Sequence, residues 1–222
     1  MRSGAVKDAY FNSSERIEAY ETWEPINVRY NLDLLSTCGI SAARTVGRSV
    51  LDVGCGFGLL LKSFSDAGAR CFGIDISEVA IDQCRKRFPE IRAEVADCAH
   101  MPFPERFALI TCFGTLGLVQ KERHAEFLRM AHRSLEDGGI LFANAPNAER
   151  PGFMDALSGK GRSSSYDNAR RVSEWEGLLS EAGFRDTSVY PVLRVLKSEG
   201  IFHKNVFLRP GFGDPIVIFA KR

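Results

Sequence analysis

An apolar run closes on three glycines within five residues at Leu51-Asp52-Val53-Gly54-Cys55-Gly56-Phe57-Gly58. A backbone without Cβ atoms lets a ligand lie against the main chain. Seventeen residues past Gly58 a second apolar run, Cys71-Phe72-Gly73-Ile74, stops at Asp75. An acid at the end of a neighbouring parallel strand is suited to a ribose diol, so the pair of segments describes a nucleotide site. The six cysteines stand singly at 38, 55, 71, 84, 98 and 112, with no C-x-x-C pair and no histidine at metal spacing, which argues against a zinc site and for a reducing compartment. No basic residue accompanies Cys55 or Cys98 in sequence, so both read as packing or backbone positions rather than nucleophiles.

The glycine spacing narrows the ligand. Dinucleotide turns read G-x-G-x-x-G, whereas here Gly54, Gly56 and Gly58 read G-x-G-x-G with Leu59 next. With Asp52 ahead of the turn, D-V-G-C-G-F-G resembles the first motif of class I S-adenosylmethionine (SAM) dependent methyltransferases. Four further pieces keep that family's order over roughly residues 48–190: Gly73-Ile74-Asp75-Ile76-Ser77, Ala96-Asp97-Cys98-Ala99-His100-Met101-Pro102-Phe103, Arg106-Phe107-Ala108-Leu109-Ile110 and Leu135-Glu136-Asp137-Gly138-Gly139-Ile140-Leu141. Ala108 departs from the pattern, which usually has Asp there.

The resemblance implies roles for named residues. The Gly54, Cys55 and Gly56 backbone would approach the methionine end of SAM, with Asp52 ordering the loop or reaching the ammonium through water. Asp75 would hold both ribose hydroxyls and Ile76 would pack on the adenine. Asp97 and the Cys98 amide would read the adenine edge, and the Phe113 carbonyl would accept from the ammonium. Because SAM brings its own electrophile, the protein needs mainly to orient and to exclude water. No nucleophile or triad is called for, and no catalytic residue is assigned. His124 and His132 read as solvated or structural positions on a surface helix, His100 lies beside the adenine loop, and His203 is the better-placed candidate base.

Positioning these groups requires strands alternating with helices. Val50–Val53, Arg70–Ile76, Ile91–Ala96, Phe107–Phe113, Ile140–Ala145, Phe184–Leu193 and Asp214–Ala220 read as strands, and Leu59–Ala67, the segment capped by Ser77, Lys121–Leu135 and Val172–Ala182 as helices. The fold class expected is α/β, a doubly wound Rossmann-like sheet of seven strands. The resemblance adds that the last strand is antiparallel and inserted between strands five and six. Residues 7 to 37 read as two helices separated by Pro25. The domain division expected is an N-terminal helical cap at 1–45 and a SAM-binding domain at 46–222, with insertions 147–171 and 194–213 forming an acceptor pocket.

A net charge of +1, from 29 basic against 28 acidic residues, lacks the basic excess typical of a nucleic-acid partner. Arg2, Lys7 and Asp8 interrupt any apolar leader, and the longest apolar run, Phe107 to Val119, is too short to cross a bilayer. The expectation is a cytoplasmic protein without a membrane anchor. Position 112–115 reads Cys-Phe-Gly-Thr rather than the N-P-P-Y of nucleic-acid amino methylases, while Asn144-Ala145-Pro146-Asn147 resembles the T-P-N ending of quinone-biosynthesis-like enzymes. A small metabolite, natural product or sugar is therefore the expected acceptor, methylated on O or N. Tyr10, Phe11, Tyr20, Trp23 and Tyr30 are rings that would line its pocket or pack the N-terminal helices, and Arg29 would reach the SAM carboxylate. The basic stretch with Lys160, Arg162, Arg170 and Arg171 reads as a surface loop or as a lid for a phosphate or carboxylate on the acceptor. Two other classes share some of these features: a SAM-fold binding module without activity, and a nicotinamide-dependent oxidoreductase, which the glycine spacing disfavours.

Overall fold

The computed structural model describes residues 13–149, 167–191 and 216–222. A long helix α1, Ser14–Thr37, leads into β1 (Ser49–Val53), α2 (Leu59–Asp66), β2 (Arg70–Asp75), α3 (Glu78–Arg87), β3 (Arg92–Val95) and β4 (Phe107–Cys112). The chain goes on through α4 (His124–Ser134), β5 (Leu135–Ala145), α5 (Val172–Glu181), β6 (Thr187–Pro191) and β7 (Ile216–Lys221). The strands follow the order β3-β2-β1-β4-β5-β7-β6 in a seven-stranded sheet. The Cα framework divides into two compact units, 1–111 and 112–222.

In the first unit β1 is parallel to both β2 and β4, and β2 is parallel to β3. The register sets Val53 against Ile74, Asp75 against Val95 and Asp52 against Thr111. Gly54, Ile76 and Ala96 therefore leave the sheet at one edge, beside the reversal of strand order between β1 and β4 where open α/β sheets bind ligands. Every residue of β1 and β4 is buried, as a strand covered on both faces demands. Ala108 is among these, so the acid missing from the resemblance is replaced by a small apolar side chain inside the core. Leu60, Leu61 and Phe64 of α2 and Ala80, Ile81 and Cys84 of α3 form the buried helix faces. Ser77 starts α3 by accepting from the Ala80 amide at 3.2 Å.

Two helices separated by Pro25 are not what the described part of 7–37 forms: α1 runs from Ser14 to Thr37 through Pro25 without interruption. Proline removes one backbone donor, yet the helix keeps its course because it is held from outside. Tyr20 packs edge-on to Phe57 with ring centroids 4.7 Å apart, and Glu24 accepts from the Leu59 amide. Burial of this kind outweighs a local breaker.

The second unit carries β5, β7 and β6. Strand β7 runs antiparallel to both neighbours, with Ala145 opposite Ile216 and Pro191 opposite Ile216 on the other side. Strand β5 starts at Leu135, five residues before its expected start, and includes the Gly138-Gly139 pair. Helix α4 buries Phe127, Leu128 and Ala131, and α5 buries Trp175 and Leu179, as their spacing predicts. The insertion at 194–213, most of 147–171, and Tyr10, Phe11, Lys160, Arg162 and His203 lie outside the described residues.

Candidate functional site

The glycine turn after β1 is fixed to β2 by its own amides. Gly54 and Cys55 donate to the Ile74 carbonyl at 2.7 and 3.0 Å, and Gly58 donates to the Cys55 carbonyl at 3.0 Å. Two of the glycines answer to protein packing as well as to any ligand. At Gly56 (φ +54°) an added Cβ would lie 1.9 Å from the Tyr20 hydroxyl, and at Gly58 (φ +87°) it would lie 2.5 Å from Cys84 Sγ. Tyr20 from α1 thus lies on the turn from outside while Cys84 from α3 presses on it from within.

Asp75 is held by two backbone donors, the Gly56 amide on Oδ2 at 3.0 Å and the Ser77 amide on Oδ1 at 2.9 Å. Burial pushes its carboxyl up, and these amides pull it back. An ionised carboxylate has about four acceptor positions, so both oxygens keep capacity for a diol. Ile76 next to it is an exposed large apolar side chain, 38% accessible, at the same sheet edge. Asp97 closes a local turn: Oδ1 accepts from the Ala99 amide at 3.0 Å and its carbonyl from the His100 amide at 2.8 Å. That turn fixes the loop in which the Cys98 amide sits.

Asp52 is almost wholly buried, and its Oδ1 accepts from the Thr111 hydroxyl at 2.6 Å. Burial first, and the fields of Asp75 and Glu24 after it, push its carboxyl up to about 7. Glu24 is likewise buried, and burial pushes it up to about 7 as well, against the Leu59 amide, Arg87 and Tyr20, which favour its ionised form. Neither Glu24 nor Thr111 follows from the motifs. The available signal for Glu24 is its position four residues after Tyr20, which places both on one helix face.

Cys55 and Cys84 are buried, with the Cys55 thiol pushed up by Cys84 and by burial, in keeping with a packing rather than a nucleophilic role. Arg29 is mostly exposed and pairs with Asp33 one turn along α1 at 3.6 Å, which leaves the expected carboxylate contact without support.

In the second unit, the Phe113 carbonyl accepts from the Thr115 hydroxyl at 3.2 Å and the ring is tilted against Phe142. Asn144 accepts from the Gly114 amide at 2.7 Å. Of the two readings expected for His124, solvated or structural, the structure has the second: the ring is fully buried and stacked on Trp175 at 4.7 Å. Arg170 Nε donates to His124 Nδ1 at 3.0 Å, so Nε2 must carry the proton that is shared between the Leu116 and Val119 carbonyls. Burial lowers the affinity of this ring for a second proton. The Arg170 guanidinium also donates to the Lys121 carbonyl at 2.6 Å and pairs with Glu174 at 3.2 Å, which removes it from the cations of a mobile lid. Asn168 donates to the Gly117 carbonyl at 3.0 Å. The segment after β4 is thereby tied to the return at 167–171. Replacing Arg170 by Met is expected to cost about 1–3 kcal/mol in urea unfolding, the penalty for stranding a buried acceptor, with an unchanged m-value. A cost below ~0.5 kcal/mol would show the network to be dispensable.

Among the described residues no helix is long and apolar enough to cross a membrane, and no group of His, Cys, Asp and Glu could hold a metal ion.

Residues 50–139 match the family model described as a methyltransferase domain. A probable SAM-dependent methyltransferase of Mycolicibacterium smegmatis is 28% identical over 165 residues, which cover 73% of this chain and 58% of that protein. The ubiquinone biosynthesis O-methyltransferase of Pseudomonas syringae is 30% identical over 123 residues, covering 53% of this chain and 52% of that one. The match spans little more than half the length of these curated relatives. Among solved structures, phosphoethanolamine N-methyltransferase 2 of Haemonchus contortus, in complex with phosphomonomethylethanolamine and S-adenosylhomocysteine, superposes with a TM-score of 0.72 at 16% identity, covering 98% of this chain and 59% of that one. The plantazolicin methyltransferase, in complex with a pentazolic desmethylPZN analog and SAH, gives 0.66 at 16% identity, covering 98% and 95%. The parallel strands with their glycine turn and acid and the antiparallel β7 between β5 and β6 agree with these matches: residues 50–139 are similar to a methyltransferase domain, and the chain has the fold of the methyltransferases on which it superposes.

Proposed function

We propose that this protein moves a methyl group from SAM to an O or N atom of a small molecule. The observation that carries the reading is the coincidence of the family match at 50–139 with a glycine turn flanked by Asp52 and Asp75. SAM supplies a methyl on a sulfonium, so the residues of this chain need to bind, orient and keep water out. The Gly54, Cys55 and Gly56 backbone would hold the methionine end and Asp75 the ribose. Ile76 offers an apolar face for the adenine, and Asp97 with the Cys98 amide would read its edge. Asp52, anchored by Thr111, would order the turn from below.

The acceptor is inferred from the relatives' own names, which are those of quinone, phosphoethanolamine and natural-product methyltransferases. Residues 1–45 are read as a cap, and 147–171 and 194–213 as the acceptor pocket, with Lys160 and Arg162 suited to a phosphate or carboxylate. The balance of charge, 29 basic against 28 acidic residues, supports a small acceptor over nucleic acid. Six free cysteines support a reducing, cytoplasmic setting.

Asp75→Ala tests the cofactor assignment. Loss of a charge-assisted hydrogen bond should cost about 1.5–3 kcal/mol, or roughly 10- to 100-fold in SAM affinity by calorimetry. Unchanged affinity would remove Asp75 from the site. Transfer of labelled methyl into a panel of small metabolites, quinol precursors and phosphorylated amines tests the acceptor class, and its failure across the panel with SAM bound would favour a binding module.

A further inference from the structure

The N-terminal helix brings a buried acid to the glycine turn that no motif assigns. Glu24 is 6% exposed, and its Oε1 faces the Leu59 amide at 3.4 Å, at the first residue of α2. One helical turn earlier, Tyr20 lies over Gly56 and packs on Phe57. The same turn is bounded by Asp52 under β1 and by Asp75 at the end of β2. Among the described residues, the charged and titratable groups that face Glu24 are Tyr20 and Glu21 on its own helix, Arg87 and Cys84 on α3 and Asp52 on β1. Arg87 is ion-paired with Glu21 and lies over the Phe57 ring at 4.9 Å. Two buried carboxylates, Glu24 and Asp52, and the half-buried Asp75 therefore border the turn, and the cation that acts on Glu24 among the described residues is already paired.

A helix N-terminus favours an anion, so an acid at Leu59 is well placed by itself. Asp52 and Asp75 change the balance, because each further negative charge in a buried setting asks for a compensating positive one. SAM and its demethylated product differ in the charge required. SAM carries a sulfonium, an ammonium and a carboxylate, for a net charge of +1. The product keeps only the last two and is neutral overall.

Resting on the SAM assignment above, we propose that Glu24 is a cofactor-site residue that reads the sulfonium charge, so that α1 favours SAM over S-adenosylhomocysteine. The cation lets Glu24 and Asp52 ionise together, and the product does not. Departure of the methyl group thus weakens the hold on the spent cofactor and favours its exchange. The raised affinity of both carboxyls for protons in the cofactor-free site makes the preference depend on pH. SAM binding should release protons near neutral pH, and its affinity should rise with pH more than the product's does.

The test is calorimetric titration of the full chain with SAM and with S-adenosylhomocysteine at pH 6 and pH 8, for the wild type and Glu24→Gln. Glutamine keeps an acceptor for the Leu59 amide and removes the charge. For the wild type, the ratio of SAM to product affinity should rise by about tenfold between the two pH values, and Glu24→Gln should lower it at pH 8 by a similar factor with little change in product affinity. Equal losses for both ligands would mean a structural role only, and an unchanged ratio would overturn the proposal. The wild-type pH series reads the effect even if the variant folds poorly, a ratio flat with pH again overturning it. Binding of neither ligand to the wild type is a different result, which would refute the SAM assignment itself.

Discussion

Gly58→Ala should destabilise the protein by about 2–5 kcal/mol, the sum of a left-handed backbone that costs a Cβ-bearing residue roughly 1–2 kcal/mol and overpacking of about 1–3 kcal/mol. The backbone at Gly58 has φ +87°, and the new methyl would stand 2.5 Å from Cys84 Sγ. Cys84 is fully buried on α3, so its sulfur has no solvent into which it can turn. Gly56 makes the instructive contrast, since its obstructing neighbour is the far end of the Tyr20 side chain, which can swing aside. The mechanism is checked by adding Cys84→Ala, which removes the obstructing sulfur. Urea unfolding of the two single variants and the double variant should show a favourable coupling of about 1 kcal/mol or more. Strictly additive losses would mean that the backbone strain alone sets the cost.

That contact also marks the limit of what the motif reveals. The string D-V-G-C-G-F-G is legible as a ligand turn because the residue types are few and their backbone consequences strong. Asp75 is legible for a similar reason, since it follows an apolar run whose end fixes where the acid must stand, whereas Asp97 follows a mixed segment and rests on the resemblance alone. The string does not say that Gly56 is crowded by Tyr20 or Gly58 by Cys84, because those neighbours lie 36 and 26 residues away and arrive through helix packing. Pro25 is a guide with the same limit, since a local breaker carries no information on the tertiary contacts that hold α1 over the turn. The sequence leaves His124 open between a solvated and a structural position, because the Arg170 and Trp175 that enclose it arrive about fifty residues later.

The second large effect is one of pH, and it sets Asp52→Asn against the wild type without cofactor. Asp52 has its carboxyl pushed from an ordinary 3.8 up to about 7 in the folded protein. Between those values the folded state binds more protons than the unfolded one, so stability falls as pH rises through the window and levels off above it. The asparagine variant has nothing to ionise and escapes this loss. Its stability relative to the wild type should improve by about 2–3 kcal/mol between pH 5 and pH 8. The comparison with the variant matters because His124 works in the opposite direction: its lowered proton affinity costs stability as pH falls below the ordinary histidine range. That contribution is common to both proteins and cancels in the difference. A relative stability that stays flat, or moves the other way, would show that Asp52 is ionised in the fold without penalty.

Both effects follow from the same arrangement, a turn packed tightly by α1 and α3 and bordered by the acids Glu24, Asp52 and Asp75. The fold accepts buried carboxylates that cost it stability around neutral pH, an expense that is understandable if a positively charged ligand is to be held there. The account therefore depends most on what binds at this turn. Isothermal titration of the full chain with SAM and, separately, with NADH measures it directly. Saturable binding of SAM at one site per chain, with no heat from NADH, is the result expected. Binding of NADH without SAM, or of neither, would contradict the account.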